Sequence, residues 1–162
     1  MFKIGDYVVH KRDVCKINNI RTIKDKDYYV MNPIDDQTLI INVPVEDSAC
    51  YLRPTLTKEA AMDLINSLHK VKVIDTTDKM IENQYKLLLQ TGKHEHLMCI
   101  IQTAYLRNDE RKKSGKKIGE IDDSYFKIAE KILYNELSIS LGKNYDDTKN
   151  YVIETVRKLS DD

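Results

Sequence analysis

Three residues with metal-binding side chains lie close together near the middle of the chain. His94 and His96 flank Glu95, and Cys99 follows three residues later. On a helix His96 and Cys99 could share a face, but residues two positions apart point in different directions. No second ligand pair with zinc-type spacing occurs in the sequence. The pattern therefore favours polar residues in the first turn of a helix, and we expect no metal site.

Paired carboxylates are the next candidates for chemistry, because two neighbouring acids can serve as general acid and base. The pairs are Asp35–Asp36, Asp122–Asp123 and Asp146–Asp147. The last two stand where helices are predicted to begin, so capping and the helix dipole explain them, and Asp122 or Asp123 is the predicted cap. The first pair stands in a predicted turn. The sequence has none of the common nucleotide-binding, hydrolase or zinc-peptidase motifs. We expect no enzymatic activity, no cofactor and no small-molecule substrate.

A run of cations is more informative about binding. The segment 107–117 has the sequence RNDERKKSGKK, with six basic and two acidic residues. The basic residues are Arg107, Arg111, Lys112, Lys113, Lys116 and Lys117. They lie at the predicted end of a helix, where cations complement the helix dipole. They would equally suit contacts to DNA phosphates that do not identify bases. Composition leaves both interpretations open.

The composition limits the class of protein. The chain has 162 residues, with 26 Lys or Arg and 26 Asp or Glu, so any nucleic-acid binding must come from a local patch. Its three cysteines are widely spaced and include no CxxC pair, which favours reduced thiols. No apolar run approaches the length of a membrane span, and the N-terminus lacks a signal-peptide pattern. We expect a cytoplasmic protein that does not bind membranes.

Residues 1–53 have the character of a small all-β domain. Strands are predicted over Phe2–Val9 and Leu39–Val45, both rich in β-branched residues, with two more between them. The charged tract Lys24–Asp27 suits a hairpin tip. Short strands at close spacing predict a small barrel of the SH3 or Tudor type.

Residues 55–162 have helical periodicity. Five helices are predicted: one capped by Thr57, one from about Thr77 to Gly92, one from His94 to Lys113, one ending at Gly142, and one after Tyr145. The predicted fold class is therefore α+β, with a compact helical domain after the small β domain.

Two features of the β domain suit a partner. Arg21 lies in the middle of the strand-like sequence IRTIK, and the strand Leu39–Pro44 is typical of a sheet edge. An unpaired edge can accept a strand from another protein. An edge protected by Pro44 and nearby charges fits the pattern equally well.

The order of these segments resembles the CarD/CdnL family. FKIGDYVVH at the start and INVPVED at 41–47 resemble the family pattern FKVGDxVVYP…VPV, which the RNA-polymerase-interacting domain of the bacterial transcription-repair coupling factor shares. The segments 85–92, 101–107 and 131–138 are similar to the family's helical motifs. The resemblance covers nearly the whole chain.

The resemblance implies a bacterial transcription regulator without catalytic activity. Its β domain would dock on the RNA polymerase β subunit, strand edge to strand edge. The residues implied in that contact are Arg21, Ile41, Asn42, Val43 and Pro44, of which Asn42 replaces an arginine common in the family.

The helical domain would contact promoter DNA and modulate the stability of the initiation complex. Better-known members insert a tryptophan into the minor groove, but this chain has no Trp. The candidate DNA contacts are Lys79, Met80, Arg107, Arg111, Lys112 and Lys113. An adaptor on RNA polymerase without DNA contact is the alternative, and a small metalloenzyme using His94, His96 and Cys99 is a third hypothesis.

Overall fold

An antiparallel sheet is followed by a bundle of helices, which confirms the predicted α+β class. The computed structural model describes residues 1–161. The five strands are β1 (Tyr7–His10), β2 (Asp13–Ile23), β3 (Lys26–Pro33), β4 (Ile41–Pro44) and β5 (Leu52–Pro54). The five α-helices are α1 (Lys58–Ser67), α2 (Ile81–Thr91), α3 (His94–Lys113), α4 (Glu120–Leu141) and α5 (Tyr145–Ser160).

The sheet is open, which corrects the prediction of a closed barrel. Its strand order is β4-β3-β2-β1-β5, so β4 and β5 form the two edges. Both edge strands are short and end in proline, at Pro44 and Pro54. Proline has no backbone N–H to donate. It therefore suits an edge strand and does not suit a strand that pairs on both sides, as closure of a barrel would require.

Two predicted strands are shorter in the structure. The segment before Tyr7 is a turn, in which the Asp6 carboxylate accepts a hydrogen bond from the Lys3 N–H at 2.8 Å. Gly5 lies within this turn with φ 96°, a conformation that glycine adopts without strain. At the other end, the strand predicted from Leu39 begins at Ile41. The predicted hairpin tip is confirmed by a tight turn at Lys24 and Asp25.

The helices follow the predicted pattern, except that α2 begins at Ile81 and not at Thr77. The Thr57 hydroxyl accepts a hydrogen bond from the Ala60 N–H at 3.1 Å and caps α1 as expected. Gly92 and Gly142 end α2 and α4 with φ 66° and 65°. The structure places α3 over the predicted residues. Among residues 1–161, no helix combines the length and apolar character that a bilayer crossing requires.

The predicted cap of α4 is wrong. The helix begins at Glu120 with Gly119 as its N-cap, so Asp122 lies inside the first turn. Asp122 is 1% exposed, because it faces inward toward α2 and α3. A buried carboxylate needs several partners, and those partners are described below.

Two separate hydrophobic cores stabilise the sheet and the helices. The core of the sheet contains Val8, Ile17, Tyr29, Met31 and Val43. The helical core draws on all five helices and is larger. Neither cluster includes residues of the other part, so polar contacts carry much of the connection between them. The division of the chain at residues 53–55 stays a prediction.

Candidate interaction surfaces

The outer side of β4 is a free hydrogen-bonding edge. Val45 N–H donates to the Asp27 carbonyl at 2.9 Å, in register with the β3–β4 ladder. Because backbone groups alternate along a strand, Ile41 and Val43 also turn their N–H and C=O groups toward β3. Asn42 and Pro44 therefore direct theirs away from the sheet. Asn42 offers a partner one N–H and one C=O, whereas Pro44 offers a C=O alone.

The predicted docking residues divide between the two faces of the sheet. Residues directly opposite each other in neighbouring strands share a face. Arg21, Tyr28 and Pro44 form one row across β2, β3 and β4, and Asn42 lies in the next row on the same face. Val43 lies on the other face and is 3% exposed. The structure thus brings Arg21, Asn42 and Pro44 together.

The two remaining predicted residues face the core of the sheet. Val43 belongs to the buried cluster, and Ile41 packs against it. Their backbone groups are engaged with β3, so neither offers a main-chain group to a partner. They position the edge, since their packing and pairing hold Asn42 and Pro44 in place.

The sequence analysis missed several residues on this part of the sheet. The second half of β2 pairs with β3 alone, and every residue from Asn18 to Ile23 is exposed. Some of the exposed residues on this part of the sheet are large and apolar. Ile40, just before β4, is 64% exposed. A strand whose residues are exposed on both faces is unusual for a sheet with one core, and exposed apolar clusters mark interaction sites.

An acidic groove lies beside the same edge. Its volume is about 540 Å³, and the aromatic side chains of Tyr28 and Tyr51 line it together with Pro44. Four carboxylates and one lysine also line it: Asp25, Asp27, Glu46, Asp47 and Lys26. The groove is therefore suited to a basic or apolar side chain of a partner.

The three predicted metal-site residues have separate partners. His94 Nε2 lies 2.8 Å from the Glu136 carboxylate, and His96 Nδ1 lies 2.5 Å from the Thr91 hydroxyl. Burial raises the pKa of the Cys99 thiol, which donates to the Lys72 carbonyl at 3.2 Å. Within residues 1–161, no group of three or more His, Cys, Asp or Glu side chains is placed to hold a metal ion.

Asp122 organises a buried ion cluster between α2, α3 and α4. Its carboxylate accepts hydrogen bonds from the Tyr85 hydroxyl at 2.6 Å, Arg107 Nε at 3.1 Å and Arg111 at 2.5 Å. Arg107 also pairs with Asp78, which lies in the turn before α2. The bond to Asp122 and burial raise the pKa of the Tyr85 phenol, with burial the larger cause. The cluster has a structural role, because each charged side chain in it is paired with a side chain of opposite charge.

The cluster divides the predicted DNA-contacting residues into two groups. Arg107 and Arg111 point inward, with side chains 19% and 23% exposed. Lys112 and Lys113 are exposed at the end of α3, where Lys113 pairs with Asp109 at 3.0 Å. An exposed ion pair between residues one helical turn apart is weak, so both lysines can reach an anion in solution.

Met80 and Lys79 lie at the tip of the turn before α2. Met80 is 44% exposed. The Arg107–Asp78 pair holds this turn against the C-terminal half of α3. The structure therefore brings Lys79 and Met80 to the end of the bundle that also carries Lys112 and Lys113.

Comparison with protein families identifies the sheet. Residues 2–55 match the family described as CarD-like/TRCF RID domain. The chain therefore carries a CarD-like/TRCF RID domain at its N-terminus, as the resemblance predicted. The match ends directly after β5 and does not include the helices. No curated protein is significantly similar to the chain. The resemblance of the helical part stays a prediction.

Proposed function

We propose that this protein is a transcription regulator that binds the RNA polymerase β subunit through the free edge of β4. The observation that carries the proposal is the outward-facing backbone of Asn42, inside a domain that matches a family of RNA-polymerase-interacting domains. The helical part is proposed to contact promoter DNA and thereby to modulate the stability of the initiation complex.

The docking contact follows from the geometry of the edge. A strand of the partner can form two main-chain hydrogen bonds with Asn42, one as donor and one as acceptor. Pro44 then limits the length of the ladder, because it has no N–H to offer. Arg21 adds a charged contact on the same face, and the acidic groove beside Tyr28 receives a basic side chain of the partner. These side chains supply specificity that main-chain bonds lack.

The DNA contact rests on exposed groups at the far end of the bundle. Met80 is an apolar side chain at a projecting turn, and such side chains can wedge between base pairs from the minor groove. Lys79, Lys112 and Lys113 are exposed and suited to phosphates on either side. Arg107 and Arg111 support this surface by fixing the turn, since their charges are paired internally.

A polymerase adaptor without DNA contact is the second candidate. The pairing of Arg107 and Arg111 with Asp122 and Asp78 favours it, because two of the cations of segment 107–117 are already neutralised. The balanced net charge of the whole chain favours it as well.

We propose a regulator without catalytic activity or cofactor. The matched domain occurs in the non-enzymatic CarD family and in TRCF, which is an enzyme. Of the carboxylates and histidines that the sequence offered for chemistry, Asp122 is paired with Arg107 and His94 with Glu136. Their arrangement stabilises the fold.

Co-purification tests the proposal most directly. An affinity-tagged full-length chain, expressed in bacterial cells, is expected to retain the polymerase β subunit through washing. The matched control is the same tagged chain with Asn42→Pro, which removes the outward N–H. Retention of polymerase by neither protein would contradict the proposal, and equal retention by both would contradict the docking edge.

A further inference from the structure

A second cationic surface lies where the sheet meets the helices. A cavity of about 440 Å³ opens between the β1–β2 turn and the C-terminal half of α2. The lining residues are Lys11, Arg12, Lys86, Leu89, Gln90, Thr91, Gly92 and Tyr125. Two parts of the chain with separate cores thus contribute to one concave site.

The charge of this cavity is strongly one-sided. Three cations line it, from the turn and from α2, and no acidic residue does. Lys86 has Glu82 3.6 Å away, but both side chains are more than 40% exposed, so the pair is weak. No ion pair or side-chain hydrogen bond within residues 1–161 occupies Lys11 or Arg12. Their charges are available to an anion.

The dipole of α2 explains only part of the positive charge around this cavity. The C-terminus of α2 carries about half a negative charge, which one cation can complement. Three cations exceed that need. Leu89 and Tyr125 add apolar surface to the lining beside these cations. An extended polyanion suits the excess of positive charge.

We propose that this cavity binds the phosphodiester backbone of duplex DNA, so that the sheet domain shares in the DNA contact. The inference rests on the proposed function, which places DNA at the other end of α2. Helix α2 has 11 residues and so spans about 16 Å, which corresponds to about five base pairs along one strand. Lys79 at its start and Lys86, Lys11 and Arg12 toward its end would contact one duplex along its length.

Fluorescence anisotropy of a labelled DNA duplex of about two helical turns tests this inference with the full chain. Lys11→Gln with Arg12→Gln removes two charges from the cavity. Affinity is expected to fall about tenfold at low salt, and the slope of log K against log salt is expected to decrease by ~1.8, as two lost phosphate contacts require. Lys24→Gln with Lys26→Gln removes two exposed charges from the opposite turn and is expected to change neither value.

The outcomes separate this inference from the proposed function. If the wild-type chain binds the duplex and Lys112→Gln with Lys113→Gln weakens it, but the cavity variant does not, the cavity assignment is overturned alone. If the wild-type chain does not bind the duplex, both DNA assignments are overturned, whereas polymerase docking is measured independently. If the cavity variant loses polymerase binding without DNA present, the cavity binds an acidic protein surface and the inference is overturned.

Discussion

Arg53 of β5 and Glu136 of α4 form a two-armed ion pair that joins the sheet to the helices. Both nitrogen–oxygen distances are 2.7 Å, and the residues are 83 positions apart in sequence. The same carboxylate accepts the Leu56 N–H at 3.0 Å and contacts His94 at 2.8 Å. Glu136 of α4 thus gathers groups from the sheet, the linking segment and α3, and this contact orients the sheet relative to the helical part.

Arg53→Ala is expected to destabilise the protein by on the order of 2 kcal/mol. The Glu136 side chain is 4% exposed, so removal of its main partner leaves a buried charge with weaker compensation. The loss is smaller than for a fully buried pair, because Arg53 is 44% exposed and the bonds from Leu56 and His94 remain. Urea unfolding measures the change. Arg157→Ala, an exposed arginine on α5, is the control, and an equal loss in both variants would contradict the assigned role.

The stability of the protein is expected to fall in acid through Glu136. Burial raises the pKa of this carboxyl, but the bonds from Arg53 and His94 outweigh it and lower the pKa from 4.5 to about 2. A lowered folded-state pKa stabilises the protein above pH 4.5, and this contribution is lost as the pH falls from about 4.5 to about 2. The pKa difference corresponds to on the order of 3 kcal/mol.

Unfolding free energies of the wild type and Glu136→Gln across pH 7 to 2 check this linkage. The difference between the two proteins is expected to be largest above pH 5 and to shrink in acid, because the glutamine variant cannot titrate. A difference that stays constant over this range would show that another carboxylate causes the acid sensitivity.

The sequence predicted local structure well and long-range structure poorly. The bounds of α3 and the Thr57 cap follow from residue periodicity and capping chemistry, which act over a few residues. The open sheet depends on which strands pair, and β1 with β5 is a distant pairing. β-Branched residues and proline indicate an edge strand, but the outward direction of the Asn42 backbone follows only from the register of β3 and β4.

The ion clusters could not be predicted, because their members are far apart in sequence. Because helix starts favour aspartate, the sequence predicts Asp122 or Asp123 as a cap. The Asp122 partner Tyr85 lies 37 positions away, and the pairing exists through the packing of α2 against α4. The same packing turns Arg107 and Arg111 inward, which composition alone cannot distinguish from a solvent-facing basic patch.

Arg21→Glu is expected to weaken polymerase binding by about tenfold without changing the fold. Arg21 is exposed on the face that also carries Asn42 and Pro44, so a reversed charge opposes the partner surface that the arginine meets. Pull-down with the purified β subunit measures binding, and circular dichroism measures the fold. Arg157→Glu carries the same charge change far from the sheet. Equal binding by the two variants would remove Arg21 from the interface.

Asn42→Pro and Val43→Pro are expected to have opposite consequences. The Asn42 N–H faces outward, so its loss leaves the β3–β4 ladder intact and removes one hydrogen bond to a partner, about 1 kcal/mol or roughly fivefold in affinity. The Val43 N–H faces β3, so proline there breaks the ladder and destabilises the sheet. Thermal unfolding and polymerase binding of both variants check this. A destabilised Asn42→Pro protein would contradict the deduced orientation of β4.

Charge changes in the segment 107–117 are expected to separate stability from DNA binding. Arg107→Gln should destabilise the protein by on the order of 2 kcal/mol, because Asp122 is buried and loses a partner. Lys112→Glu with Lys113→Glu should cost less, about 1 kcal/mol, because both lysines are exposed and lose only the interactions with the helix dipole and Asp109. The double variant should nevertheless weaken the salt-dependent binding of polymerase to promoter DNA in its presence. If promoter binding is unchanged while polymerase capture persists, the adaptor without DNA contact is the correct function.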